Sequence, residues 1–239
     1  MALRELLTGA IQRGLENLPD LPLHLELSGG CDSISLLICM QDLGLQFDAH
    51  TYYFRDNADL TAARQVTQRF GIQHFLYPIT ESSLRNNEQE LRQRGYPMNP
   101  TSVDCLIGHL PIVKALQNSI IINGSYADIL WGAYGFLARL KHESIPAFLM
   151  KREKMLLKPD ADGMRSLSRL YGETGNKVIY PYTDRQVVAS FLSLPPSMLN
   201  DKKTLFFEQF GKEIEGIRVK RRSQQIASGI RDYRKNNKL

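Results

Sequence analysis

At 239 residues the chain is long enough for one large domain or two small ones and can bury a substantial core. Its 43% hydrophobic and 23% charged content is that of an ordinary globular protein, and no apolar run approaches a membrane span, which argues against disordered, fibrous and membrane-spanning classes. The net charge of +5 is unevenly placed: residues 217–239 carry eight Lys/Arg against Asp232 alone, a net of +7, which leaves −2 for the rest. That basic end reads either as a solvated tail or as a grip on the phosphates of a small ligand or a nucleic acid. Cys31, Cys39 and Cys105 have neither disulfide nor zinc spacing, and the opening segment is an amphipathic helix pattern rather than a signal peptide. A reducing, cytoplasmic setting is expected.

Taken in chain order, "LPLHLEL" alternates and predicts a first strand, and "SISLLICMQDLG" predicts a buried helix stopped at Gly44. "FDAHTYYF" predicts a second strand, and "ADLTAARQVTQRFG" a helix with Asp59 as N-cap and Gly71 at its end. "IQHFLYPI" is a third strand, followed by the polar helical segment "SSLRNNEQELRQRGYP". In "TSVDCLIGHLPIVKAL", Pro111 should kink or split the helix. "SIIINGS" predicts a short fourth strand, and "DILWGAYGFLARL" a helix despite its glycines. Residues 141–176 contain no clear strand; "KVIYPYTD" is a fifth, before a helix capped by Asp184. Strands alternating with helical stretches imply right-handed crossovers and a five-stranded parallel sheet flanked by helices, an α/β fold. Ligands bind such sheets at the carboxyl ends of the strands. Three strand ends carry unusual residues: Ser28-Gly29-Gly30, Asn123-Gly124-Ser125 and Tyr182-Thr183-Asp184. One composite site is expected.

The first of these, "LSGGCDS", sets glycines where a strand hands over to a helix. Backbone N–H groups at a helix N-terminus favour an anion, and Gly29 and Gly30 let the backbone approach phosphate oxygens closely. Ser28 and Ser33 add hydroxyl donors. Asp32 would repel a phosphate unless a cation lay between them, and Mg²⁺ is the economical choice. The loop has no lysine and is not the Walker pattern. Cys31, inside it, reads as a small filler. The five histidines are scattered, with no ligand spacing.

"LSGGCDS" resembles the S-G-G-x-D-S pyrophosphate loop of the ATP-pyrophosphatase (PP-loop) superfamily, whose fold is adenine nucleotide alpha hydrolase-like. In the same order, "NADLTAARQVTQRFGIQHFLYPI", "IINGSYADILWGAYG", "YPYTDRQVVASFLSLPPSML" and "RVKRRSQQ" resemble segments of the asparagine synthetase synthetase domain, from about residue 2 to about 228. The resemblance implies a single synthetase-like domain over 1–239 with a basic end at 217–239. It further implies that Ser28, Gly29, Gly30, Asp32 and Ser33 hold pyrophosphate and that Leu27 and Phe54 border the adenine. Asn123 and Gly124 would line the nucleoside, Asp32 and Asp128 would hold Mg²⁺, and Lys220, or Arg221 or Arg222 in its place, would contact the α-phosphate or the pentavalent centre.

Three features depart from that pattern. The synthetase-like segment begins at once, with Ala2 after Met1 where the family has a cysteine nucleophile in a glutaminase domain. Nitrogen would then come from free ammonia, an amine, or a separate glutaminase. Both glutamates of the family's G-E-G-A-D-E are replaced in Gly124-Ser125-Tyr126-Ala127-Asp128-Ile129. Tyr126 there either assists an amine or packs. Residues 133–176 resemble nothing usable, so the acceptor stays open. The expected activity is an AMP-forming carbon–nitrogen ligase using ATP and Mg²⁺ on a small carboxylate. The alternatives are adenylation of a carbonyl on RNA or a nucleobase, which would give the basic end a nucleic-acid partner, and non-catalytic ATP binding.

Overall fold

Five strands, β1 (Leu23–Glu26), β2 (Asp48–Tyr53), β3 (His74–Pro78), β4 (Ile120–Ile122) and β5 (Lys177–Ile179), pair in the order β3-β2-β1-β4-β5 in the computed structural model. Every pairing is parallel. The structure describes residues 2–98, 100–133, 135–157, 163–199, 204–219 and 230–236. The chain runs outward from β1 to β3, then returns to place β4 on the other side of β1. The crevice between the carboxyl ends of β1 and β4 is thus the topological switch point, where doubly wound sheets bind ligands.

Helices cover both faces, so the strands are apolar on both. β4 shows the two-residue period: Ile120 and Ile122 enter one core and Ile121 the other. The first core packs α1 (Leu3–Leu15), α2 (Cys31–Asp42) and α3 (Ala58–Phe70) with α7 (Ala127–Trp131), α8 (Gly135–Glu143), α9 (Ile145–Leu156), α11 (Arg185–Leu192) and α12 (Thr204–Phe210). The second packs α4 (Glu81–Gln93), α5 (Pro100–Leu106), α6 (Leu110–Ala115), α10 (Met164–Gly172) and a C-terminal helix, α13 (Ile230–Asn236). Among the described residues no helix is long and apolar enough to cross a membrane.

Several expectations are corrected locally. The N-cap of α3 is Asn57, whose side-chain oxygen accepts from the N–H groups of Asp59 and Leu60 at 2.9 Å each; Asp59 lies buried in the first turn. Pro111 does split its segment, because a proline is tolerated in the first turn of α6 but not inside a helix. The stretch from Asp128 to Leu140 is not one helix: Gly132, at φ 67°, ends α7 in the left-handed region. The chain around Arg231 is not a solvated tail. In α13, Ile230 is fully buried, and Arg234 is buried with its guanidinium bonded to Asp104 and to Glu88 (3.2 Å).

Three histidines sit within the sheet. His50 Nε2 meets His24 Nδ1 at 2.9 Å and His50 Nδ1 meets the Tyr77 hydroxyl at 2.9 Å. His74 is held between the hydroxyls of Thr51 (2.8 Å) and Thr67 (3.1 Å). Burial disfavours the imidazolium, so His50 is pushed down to about 3 and His74 to about 4.

Candidate active site

The loop after β1 is held by its own hydroxyls. Ser33 Oγ accepts from the Ser28 N–H (3.1 Å), lies 3.0 Å from Ser28 Oγ and donates to the Gly30 carbonyl (3.2 Å). Gly29 adopts φ 79°, and a Cβ there would lie 1.9 Å from the backbone oxygen of Asp59. No other residue meets both demands, so the loop leans directly on the first turn of α3. Gly30 precedes α2 in extended conformation, and Asp32 stands in the first turn of that helix. First-turn N–H groups have no intrahelical acceptor, and the helix dipole adds partial positive charge there. Cys31 is buried as a filler among apolar neighbours.

The other two strand ends close on this turn. A Cβ on Gly124 would stand 3.4 Å from the Ser33 nitrogen and 3.5 Å from the Asp32 Cβ, so the turn after β4 passes directly over the start of α2. Beyond β5, the Tyr182 hydroxyl bonds Ser35 Oγ at 2.7 Å and donates to the Asp32 carbonyl at 3.4 Å. The three loops singled out in the sequence therefore converge on one helix N-terminus. Asp184 plays a structural part, capping α11 and pairing with Arg13 of α1 at 2.7 Å.

Among the residues expected around a nucleotide, Phe54 lies half-buried past β2, with the Tyr233 ring of α13 5.0 Å away and the Arg55 guanidinium 5.2 Å from its ring centre. Leu27 is fully buried beneath the loop, its N–H given to the His50 carbonyl at 2.9 Å and its carbonyl accepting from the Thr51 hydroxyl. Asp128 is half-buried in the first turn of α7. Tyr126 is turned into the core, and its hydroxyl donates to the Leu156 carbonyl, the packing arrangement of the two that the sequence left open. Lys220 lies outside the described residues.

Sequence reasoning missed the polar group at the switch point. Glu26 ends β1 only 7% exposed, and its carboxylate accepts from His109 Nδ1, the Tyr171 hydroxyl and the Asn123 side-chain amide. Burial alone would push this carboxyl up; His109 beside it and the three hydrogen bonds outweigh that and hold it below the usual carboxylate range. The signal was available: a glutamate inside a strand covered on both faces is out of place unless something binds it.

Among the described residues no group of three or more His, Cys, Asp or Glu side chains could hold a metal ion. Two carboxylates, Asp32 and Asp128, nonetheless begin the two helices that follow β1 and β4. That donor set suits Mg²⁺, which commonly takes one or two protein carboxylates and completes its shell with phosphate and water.

Among solved structures, the chain is similar to an NH3-dependent NAD synthetase from Campylobacter jejuni at 17% identity and a TM-score of 0.42, over 81% of this chain and 96% of that one. It is also similar to a predicted subunit of tRNA methyltransferase from Methanocaldococcus jannaschii, at 15% identity and a TM-score of 0.39, over 72% of this chain and 74% of that one. No curated protein matches. The asparagine synthase family model matches residues 2–177, a stretch that takes in the glycine loop, the turn over it and the first four strands, and ends at the start of β5. With well over half of its length matched, and with the loop closed by the same strand ends that the motifs mark, the chain belongs to the ATP-utilising asparagine synthase family.

Proposed function

We propose that the protein is an ATP-dependent ligase that adenylates a carboxylate and passes the acyl group to ammonia or an amine. The observation that carries this reading is the loop at the start of α2, where Gly29 admits no side chain and Gly124 brings the turn after β4 within contact distance of Asp32 and Ser33. In the first step a carboxylate oxygen of the substrate attacks the α-phosphorus of ATP, the bond to the β-phosphate oxygen breaks, and pyrophosphate leaves. In the second the amine nitrogen attacks the acyl carbon, the bond to AMP breaks, and the nitrogen gives up a proton. Ser28, Gly29, Gly30 and Ser33 hold the departing pyrophosphate through backbone N–H groups and hydroxyls, aided by the α2 dipole. Asn123 and Gly124 line the nucleoside, and Phe54 borders the adenine, with Leu27 beneath the loop. Asp32 and Asp128 would hold Mg²⁺, which supplies charge neutralisation between carboxylates and phosphates. Lys220 contacts the α-phosphate, and Tyr126 positions the start of α7. The whole chain, 1–239, works as one synthetase unit, with nitrogen arriving as free ammonia, as an amine, or from a separate glutaminase.

The test is release of pyrophosphate and AMP from Mg·ATP with ammonium, across aspartate, glutamate and other carboxylates, for the wild type beside Asp32→Ala. Equal AMP and pyrophosphate that depend on one carboxylate and vanish in Asp32→Ala are expected. ADP and phosphate in their place would overturn the mechanism.

A further inference from the structure

Among the described residues the buried acidic side chains are Glu26, Asp59 and Asp104, and Glu26 stands at the crevice between β1 and β4. Two of its three donors come from helices on the far side of the sheet: Tyr171 from α10, and His109 from the junction of α5 and α6. The third is the Asn123 amide, across the crevice on the turn after β4. The Asn123 side chain has two ends. Its nitrogen donates to Glu26, and its oxygen accepts from the backbone N–H of Ser125 at 2.7 Å. A carboxylate can only accept, so it dictates which way the amide faces. With the nitrogen held by Glu26, the oxygen must face Ser125 and close the Asn123–Ser125 turn. Gly124, at the middle of that turn, lies over Asp32 and Ser33. The chain of contacts therefore runs from α10 and the α5–α6 junction, through Glu26 and Asn123, to the turn covering the start of α2.

We propose that Glu26 is the positioning residue of the nucleotide site: its carboxylate, anchored by His109 and Tyr171, orients Asn123 and thereby sets the Asn123–Ser125 turn against the phosphate-binding end of α2. This rests on the reading of the site as one for ATP. Glu26 touches no substrate atom in this scheme; it acts through Asn123.

The polarity of the pair makes the proposal testable by exchange. In Glu26→Gln, keeping His109 and Tyr171 satisfied with the new side-chain oxygen leaves an NH₂ facing the Asn123 NH₂. Two donors then oppose each other, or Asn123 flips and gives up the Ser125 N–H. In Asn123→Asp, two carboxylate oxygens face each other instead. The double variant Glu26→Gln/Asn123→Asp restores a donor opposite an acceptor, keeps an acceptor for Ser125 and leaves the net charge unchanged.

Two measurements separate the positioning from its consequence. Hydrogen exchange of the Ser125 amide reads the turn with no ligand present, and equilibrium binding of Mg·ATP reads the site. Each single variant is expected to accelerate Ser125 exchange and to weaken Mg·ATP binding about tenfold, the usual scale for one mispaired buried polar contact. The double variant should recover both to within about threefold. Tyr171→Phe, which removes one donor to Glu26 and keeps the ring, should give a smaller change in the same direction and serves where a single variant fails to fold. Single variants that fold and match the wild type in both readouts would overturn the proposal, as would a double variant no better than either single. If the variants show the exchange pattern and its rescue but the wild-type protein binds no Mg·ATP, the ATP reading is refuted and the turn-setting role of Glu26 stands.

Discussion

The histidines in the sheet make the fold acid-sensitive in a window that can be set in advance. His50 and His74 titrate at about 3 and about 4 in the folded protein, mainly because burial disfavours their charged forms. In the unfolded chain each returns to a value near 6.5. A group whose folded value is depressed contributes stability that is complete above its unfolded value and is lost as pH falls below it. Lowering the pH from 7.5 to 5 lets the unfolded state take up about one proton on each histidine while the folded state takes almost none, a loss of about 2 kcal/mol for each and about 4 kcal/mol together. His24, also lowered by burial, adds in the same direction. The carboxyls of Glu26 and Asp184 are held low too, but their contribution is lost only as pH falls through the carboxylate range, below this window. Against a typical total of about 5–15 kcal/mol, the histidines remove a large share of the stability. Urea unfolding at several pH values reports this through the single tryptophan, Trp131, which is buried in the first core. The midpoint should fall steeply between pH 6.5 and 5, with a slope of about two protons or more, and the slope should drop by about one proton in His74→Gln. A flat profile over that interval, or an unchanged slope in the variant, would refute the reasoning.

Two further outcomes follow from close contacts. Gly29→Ala forces a side chain into the left-handed region and against the Asp59 carbonyl, and should cost roughly 2–5 kcal/mol in thermal or urea unfolding and abolish Mg·ATP binding. Arg234→Ala leaves Asp104 and Glu88 facing an empty position inside the fold; a loss of about 3 kcal/mol or more is expected, with limited proteolysis cutting ahead of α13 in the variant and not in the wild type.

The five strands and most helices were legible because their signals are local: β-friendly runs, glycines that end helices, prolines that split them. The Asn57 cap was missed in favour of Asp59 because two side chains of the same chemistry stood two residues apart, and only the backbone geometry shows which is outside the helix. The break at Gly132 was missed because an apolar run hides a glycine whose left-handed turn is set by its neighbours. The composite site was legible in outline, since unusual residues at three strand ends must lie together in a parallel sheet. What could not be read was the partner of each charge. Arg234 looked like part of a cationic tail because its acceptors, Asp104 and Glu88, lie about 130 and 146 residues away. Glu26, likewise, has its donors 83 to 145 residues distant. Such contacts are properties of the tertiary fold and leave no spacing in the sequence.

The pairing of charges also bears on the chemistry of the proposed site. The loop contains no lysine, and three carboxylates mark the strand ends that bear on it: Glu26 ends β1, and Asp32 and Asp128 begin the helices that follow β1 and β4. Glu26 is satisfied from within the protein by His109, Tyr171 and Asn123, so its charge makes no further demand on a ligand. Asp32 and Asp128 lie at the first turns of α2 and α7, where a phosphate chain would approach. On the proposed reading the cation needed there has to serve those two carboxylates and not all three. The positions where the family carries glutamates hold Ser125 and Ile129, and the Ser125 N–H is already committed to Asn123. On the proposed reading the turn would offer an incoming substrate a short hydroxyl where the resembled family pattern has a glutamate. On the same reading, a substrate whose α-ammonium group faced that turn would lose a counter-charge there. By this argument the carboxylates tried first should include ones without an α-amino group, and a preference for aspartate over its deaminated counterpart succinate would show that the ammonium is held elsewhere.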